Sequence, residues 1–240
     1  MRSVFTSDLL TSREGRSIGL GLLLIIEALL AFVPLIVLGP AIGWPASLTA
    51  PAAQQLAAIG AAPAAVIQGY GAYLLYSLLI APVMVWMAAR SLGDLRNPLA
   101  ATVVVFAALS TLARAIGILR WLTVMPVLSR AHAAAAPADK AAIEQLFTAL
   151  TVYGGGIGEI LGVSLLMAIA LGLLCAGAWV RQGMPAWLAA LGVLTAVSLA
   201  GLSAPMLELP FRVPSAVAVS LLSLWMLLAG ARELLRRTSP

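Results

Sequence analysis

Charge, cysteine and histidine are scarce in this chain. Only 10% of its 240 residues are charged, against about 25% in a typical soluble domain. So few ions cannot cover a water-facing surface, which excludes an ordinary soluble enzyme, a disordered tail and a coiled coil. Cys175 is the sole cysteine, so an intrachain disulfide is excluded. It stands in an apolar run and reads as a small packing residue. One cysteine and one histidine, His132, leave no common zinc or haem constellation. No metal site and no cofactor are expected. A Walker loop, G-x-S-x-G, H-E-x-x-H and C-x-x-C are all missing. The one histidine lies in what reads as a solvated, Ala-rich loop, so no nucleophile–base pair is evident. No catalytic residue is assigned and no catalytic constellation is recognised, which leaves enzyme activity open while favouring a non-enzyme.

What the chain has in quantity is apolar sequence: 62% of its residues are hydrophobic and its mean hydropathy is +1.05. A hydrocarbon core about 30 Å thick needs roughly 20 apolar residues per helix. Six runs qualify, at residues 17–38, 65–89, 99–119, 157–180, 186–204 and 214–230. They lack the dyad alternation of a membrane barrel. The expected fold is an all-α polytopic bundle of six transmembrane helices, one membrane domain over residues 1–240. Lys and Arg set the orientation. Nine lie on the side of both termini (Arg2, Arg13, Arg16, Arg90, Arg96, Arg181, Arg232, Arg236 and Arg237). Arg130, Lys140 and Arg212 lie on the other. Both termini are therefore expected in the cytoplasm, with the protein in the inner membrane. The net charge of +5 reflects these topology signals and no nucleic-acid partner is expected. Residues 17–38 exceed the about 7–15 apolar residues of a signal peptide and read as a retained span. One lysine against thirteen arginines, with abundant Ala and Gly, resembles high-GC bacterial usage.

The outer side is the more elaborate. Residues 39–64 carry no charge and contain Pro40, Pro45 and Pro51. Pro51 is suited to opening a short helix over residues 51–59. Pro137 likewise suits a helix start, with Asp139 in its first turn. Ile143, Leu146, Phe147 and Leu150 then repeat at i, i+3, i+4, i+7, an amphipathic pattern over residues 138–153. Either the third and fourth helices extend outward as a hairpin, or a loose Ala-rich loop joins them. Pro34, Pro82 and Pro126 are candidate kinks.

The stretch LGLLCAGAWVRQGMPAWLAALGVLTAV, residues 171–197, ends a long helix in a basic residue. Gly-x-Pro, a Trp-Leu pair and Leu-Gly follow. Together with Arg114 in ALSTLARAIGIL, it resembles the bacterial "domain of unknown function 4386" family of multi-span membrane proteins, over the last two-thirds of the chain. The resemblance implies a small multi-helix membrane protein and no particular reaction, substrate or catalytic residue.

Ionisable groups inside a span cost about 2.5–3.5 kcal/mol or more on insertion scales, so each requires an account. Counted at 1.5 Å per residue from the inner boundary, Glu27 lies about 16 Å up, near the midplane, Arg114 about 27 Å and Glu159 about 33 Å. Arg120, at about 36 Å, reads as snorkelling to outer headgroups beside Trp121. Arg114 is too deep for that and is expected to pair with Glu27 or Glu159. Tyr70, Tyr73 and Tyr76 recur every third residue on the second helix. An outer aromatic belt accounts for Tyr70; Tyr73 and Tyr76 are expected in a polar pocket with Arg114. Arg114, Glu159, Glu27, Tyr73 and Tyr76 are thus the candidate ligand-binding residues. Glu208 and Arg212 read as an outer-loop ion pair. Gly154, Gly158 and Gly162 form a G-x-x-x-G-x-x-x-G ridge, expected either to pack within the bundle or to form a homodimer face.

Three function classes follow. In the first, an outward-opening intramembrane pocket binds or senses a small anionic or amphipathic ligand, including lipid. In the second, a small transporter uses Glu27 to carry a proton or cation. In the third, the chain is a structural or partner-binding membrane subunit whose charges only set packing. The lipid bilayer is a partner in all three.

Overall fold

Inside a bilayer no water is at hand to bond a backbone N–H or C=O, so a spanning segment must satisfy these groups itself. The chain does so with helices. In the computed structural model, which describes residues 13–211 and 213–236, no strand occurs among the described residues. Arg2, Arg237 and Arg212, with its expected Glu208 pairing, lie outside them. The helices are α1 (Arg13–Leu30), α2 (Val33–Ile42), α3 (Ala52–Ala61), α4 (Pro63–Leu92), α5 (Pro98–Leu122), α6 (Val124–Ala134), α7 (Pro137–Gly155), α8 (Met167–Val180), α9 (Ala186–Ala200) and α10 (Ser215–Leu235). A wider π-helical segment, Gly156–Leu166, joins α7 to α8.

Six helical stretches are long and apolar enough to cross a membrane: Ser17–Ile42, Pro63–Leu92, Pro98–Ala134, Pro137–Val180, Ala186–Met206 and Ser215–Leu235. The chain is an all-α, multi-pass membrane bundle, as its composition requires. The third and fourth stretches have 37 and 44 residues, or about 55 and 65 Å at 1.5 Å per residue. Both exceed a core of about 30 Å. The apolar runs at 99–119 and 157–180 understate them because Ala-rich and amphipathic sequence continues each helix, alanine being the best helix former. Pro34 and Pro126 do not kink a continuous helix. Each stands in the first turn of a new one, α2 and α6, where a missing N–H loses no intrahelical bond. Pro82 lies inside α4.

The chain divides into two compact units. The first comprises the described residues of 13–29, 79–108, 164–211 and 213–236. In it α9 packs against both α8 and α10, around buried Leu171, Leu174, Cys175, Leu188, Leu222 and Trp225. Glycines set these approaches. Gly192 faces the Cys175 sulfur and the Trp225 ring, and Gly21 faces the Gly230 carbonyl. Trp225 Nε1 donates to the Leu188 carbonyl at 3.1 Å. Ser164 Oγ donates to the Leu199 carbonyl at 2.6 Å. Arg181 Nη1 reaches the Leu92 carbonyl at the end of α4, 3.1 Å away.

The second unit comprises residues 30–78 and 109–163. Its core joins Leu38, Leu56, Ile59, Tyr70, Trp121, Met125 and Phe147. Here α3 packs against α2, α6 and α7, and Ser129 Oγ on α6 donates to the Leu56 carbonyl at 2.6 Å. Of the two expectations for residues 120–153, the helical hairpin is the one found: only Ala135 and Ala136 separate α6 from α7. His132 is therefore not a solvated loop residue. It lies on α6, its Nε2 2.8 Å from Glu144 Oε1 on α7, with 13% of its side chain exposed.

The glycine ridge is the seam of this unit. A Cβ on Gly117 of α5 would lie 2.6 Å from Gly158 Cα, a distance that only glycine at both positions permits. Gly154, Gly158 and Gly162 are all buried against α5 of the same chain, on Arg120, Gly117 and Arg114 respectively. The surface that a homodimer through this ridge would need is occupied within the chain. Ser110 Oγ adds a bond of 2.8 Å to the Gly162 carbonyl.

We expect Gly117→Ala to destabilise the protein by about 1–3 kcal/mol through overpacking against backbone. Gly71, whose Cβ would meet nothing within 4 Å, is the control: Gly71→Ala should hold or raise stability, by up to about 1 kcal/mol. Thermal denaturation midpoints of the two variants in one detergent check this. Equal midpoints would contradict a seam held by backbone contact.

Candidate functional site

Arg114 sits in the middle of α5, 2% exposed. Its guanidinium carbon lies 4.6 Å from the ring centre of Tyr76 on α4. A cation over an aromatic face is attracted by the ring quadrupole, most strongly where water is excluded. The backbone of Arg114 is pressed on the π-helical segment, since a Cβ on Gly162 would lie 3.0 Å from the Arg114 nitrogen. The arginine is thus wedged between the Tyr76 ring and the glycine seam.

Tyr76 is buried and begins a chain of rings. Tyr73 stacks on it at 6.0 Å, and Trp44, in the connection after α2, meets Tyr73 edge-on at 6.2 Å. Tyr73 is half-buried. The sequence grouped Tyr73, Tyr76 and Arg114, and the structure brings the three together. Tyr70 departs from the belt expected of it. It is 2% exposed, stacked on Trp121 at 4.8 Å with parallel rings, and Phe147 closes on Trp121 edge-on at 6.3 Å. Tyr70 faces the wrong way for a belt because helix α3 covers that side of α4 and α5 with Leu56 and Ile59. A narrow cleft beside this stack is lined by Ser47, Gln55, Tyr70 and Trp121 among others. A second, open cleft lies at the turn from α8 to α9, between Trp179 and Met184. Neither includes Arg114.

Arg120 does not reach outward. Its Nη1 donates to the Gly117 carbonyl at 2.9 Å, its guanidinium lies 5.3 Å from the Trp121 ring, and its stem fills the groove at Gly154. Helical side chains lean toward their own N-terminus, and the glycine leaves room for this one to lie there. Glu159 is exposed on the π-helical segment and takes part in no ion pair among the described residues. Five glycines, at 154, 155, 156, 158 and 162, precede or occupy that segment and lower the barrier to its unusual winding. A change of pitch starts at the 154–156 run, where the α-helix gives way to the π segment.

Glu27, on α1, belongs to the first unit and is fully buried. The same unit holds a carboxylate that sequence reasoning passed over, Glu233 of α10, 2% exposed. Glu233 Oε2 accepts from Arg90 Nε at 3.0 Å and from Ser17 Oγ at 3.0 Å. Its Oε1 accepts from Arg232 Nη1 at 3.0 Å and Arg236 Nη1 at 3.2 Å. The arginines were counted as a topology signal, which hid their common partner. The R-E-x-x-R spacing of residues 232–236 was the available clue, since positions three or four apart share a helix face.

Residues 20–230 match the family model described as a domain of unknown function, DUF4386. The chain belongs to this family. No curated protein and no solved structure matches it. In this DUF4386 member the matched stretch includes Glu27, Tyr73, Tyr76, Arg114 and Glu159, and it ends short of Glu233.

The Arg114–Tyr76 contact makes a specific demand. Tyr76→Phe keeps a ring face under the guanidinium and Tyr76→Leu removes it, so the leucine variant should be the less stable by about 1–2 kcal/mol. Denaturation midpoints of the two variants measure the difference. A leucine variant as stable as the phenylalanine one would exclude a stabilising cation–ring contact.

Proposed function

We propose that this membrane protein binds a small anionic or amphipathic ligand within the second unit. Arg114 meets the anionic head, Tyr76 and Tyr73 form its aromatic wall, and Glu159 lies on the neighbouring helical segment. The observation that carries this reading is a cation, 2% exposed, inside a membrane-spanning helix and seated on an aromatic ring. Intramembrane ionisable residues are expensive to insert and are commonly retained for function. Arginine presents five donors in a planar fork suited to carboxylate or phosphate.

A second reading rests on Glu27. A fully buried carboxyl in the first membrane-spanning stretch is a suitable carrier of a proton or a small cation, as in proton-relay membrane proteins. The bilayer is the protein's surroundings in both readings.

Native mass spectrometry of the protein, gently extracted from its own membrane, tests the first reading. A stoichiometric adduct is expected on the wild type and its loss on Arg114→Ala. Arg114→Lys, which keeps the charge but not the fork, should retain the adduct weakly and serves if the alanine variant does not fold. A bare wild-type mass, or an adduct unchanged in both variants, contradicts this reading. The Glu27 reading has its own test in proteoliposomes: pH-driven flux should vanish in Glu27→Gln, and full flux in that variant rules the carrier role out.

A further inference from the structure

We propose that the arginines gathered on Glu233 form a binding site for the phosphate-bearing headgroup of an anionic lipid. Three guanidinium groups converge on one carboxylate: Arg90 from α4, Arg232 from α10, and Arg236 immediately after α10. That carboxylate is saturated. Oε1 accepts from two arginines and Oε2 from the third, and the Ser17 hydroxyl of α1 shares its one proton between Oε2 at 3.0 Å and the Glu233 carbonyl at 2.8 Å. It neutralises one positive charge of three, and being 2% exposed it offers nothing further to an incoming group. The arginines are different. Their side chains are 44%, 20% and 37% exposed for Arg90, Arg232 and Arg236, and each uses one of its five donors on Glu233. The carboxylate therefore acts as an internal anchor that fixes three forks in place. Among the described residues, two net charges remain and most of the three guanidinium N–H groups make no bond.

The surroundings favour a lipid over a soluble anion. Trp86 stands one turn before Arg90 on α4, 38% exposed, and Leu234 and Leu235 flank the α10 arginines, 36% and 79% exposed. Tryptophan concentrates at the membrane–water interface. Apolar side chains beside the fork suit the glycerol and acyl portion of a lipid, while guanidinium groups suit its phosphate. Basic pockets between helices at the ends of spans are a recurrent form of headgroup recognition. All these residues belong to the first unit, so the site is separate from the Arg114 reading and stands or falls without it.

The test titrates the purified protein in detergent with phosphatidylglycerol, phosphatidylcholine and inorganic phosphate, reading bound lipid by native mass spectrometry and stability by thermal midpoint. Phosphatidylglycerol is expected to bind and raise the midpoint, and phosphatidylcholine to do neither at the same concentration. The double variant Arg232→Gln, Arg236→Gln leaves Arg90 and Ser17 on Glu233, and should weaken phosphatidylglycerol binding about fivefold per arginine. If the double variant does not fold, Arg236→Gln alone should weaken binding by the single-residue factor. Equal binding of the two lipids would overturn the site. So would inorganic phosphate that matches phosphatidylglycerol, since the anion would then come from solution. Undiminished phosphatidylglycerol binding in the variants would overturn its location.

Discussion

The backbone approach of Gly117 to Gly158 decides the second unit. With no Cβ on either side, α5 and the π-helical segment come near enough that Arg114 and Arg120 have nowhere to go but along the seam. Arg120 lies in the groove at Gly154 and bonds the Gly117 carbonyl. Arg114 is pressed between Gly162 and the Tyr76 ring. In a bilayer, packing of small residues is a main source of helix association, because apolar side chains are equally content in lipid. A seam with any larger residue at 117 or 158 would stand farther apart and leave both cations facing hydrocarbon.

A second constraint works in the first unit. A carboxylate removed from water needs its lone pairs occupied, and Glu233 has four donors from three helices. Buried ion pairs of this kind are poor evidence of stability but good at fixing one arrangement over its alternatives. Here the arrangement fixed is the meeting of α1, α4 and α10. Both units bring helices close through glycines, and the first adds a carboxylate ringed by donors.

The six spans were legible in the sequence because hydrophobic length is a direct reading of bilayer thickness. The intrachain role of Gly154, Gly158 and Gly162 was one of two expectations, and the partner surface on α5, with Gly117 at its centre, was not foreseen. A single glycine in an apolar run carries no signal of what approaches it. The association of Tyr73 and Tyr76 with Arg114 followed from their depth along two helices. Tyr70 was misplaced on the same arithmetic, since depth along a helix does not reveal that α3 folds back to cover it. His132 was misread because alanine-rich sequence has no amphipathic pattern, yet alanine favours helix more than any other residue. Glu233 was hidden among arginines that read as orientation signals at the ends of spans. Periodicity and depth place a charge along its helix; only the tertiary contacts give it a partner.

Arg114 is a cation held by protein inside a membrane span. Hydrogen–deuterium exchange of arginine side-chain Nε–H groups, followed by NMR on arginine-labelled protein in lipid nanodiscs, measures how far water reaches it. The Arg114 Nε–H should exchange far more slowly than that of exposed Arg181. Exchange of the two at the same rate would mean that water reaches Arg114 freely and that the protein does not enclose it.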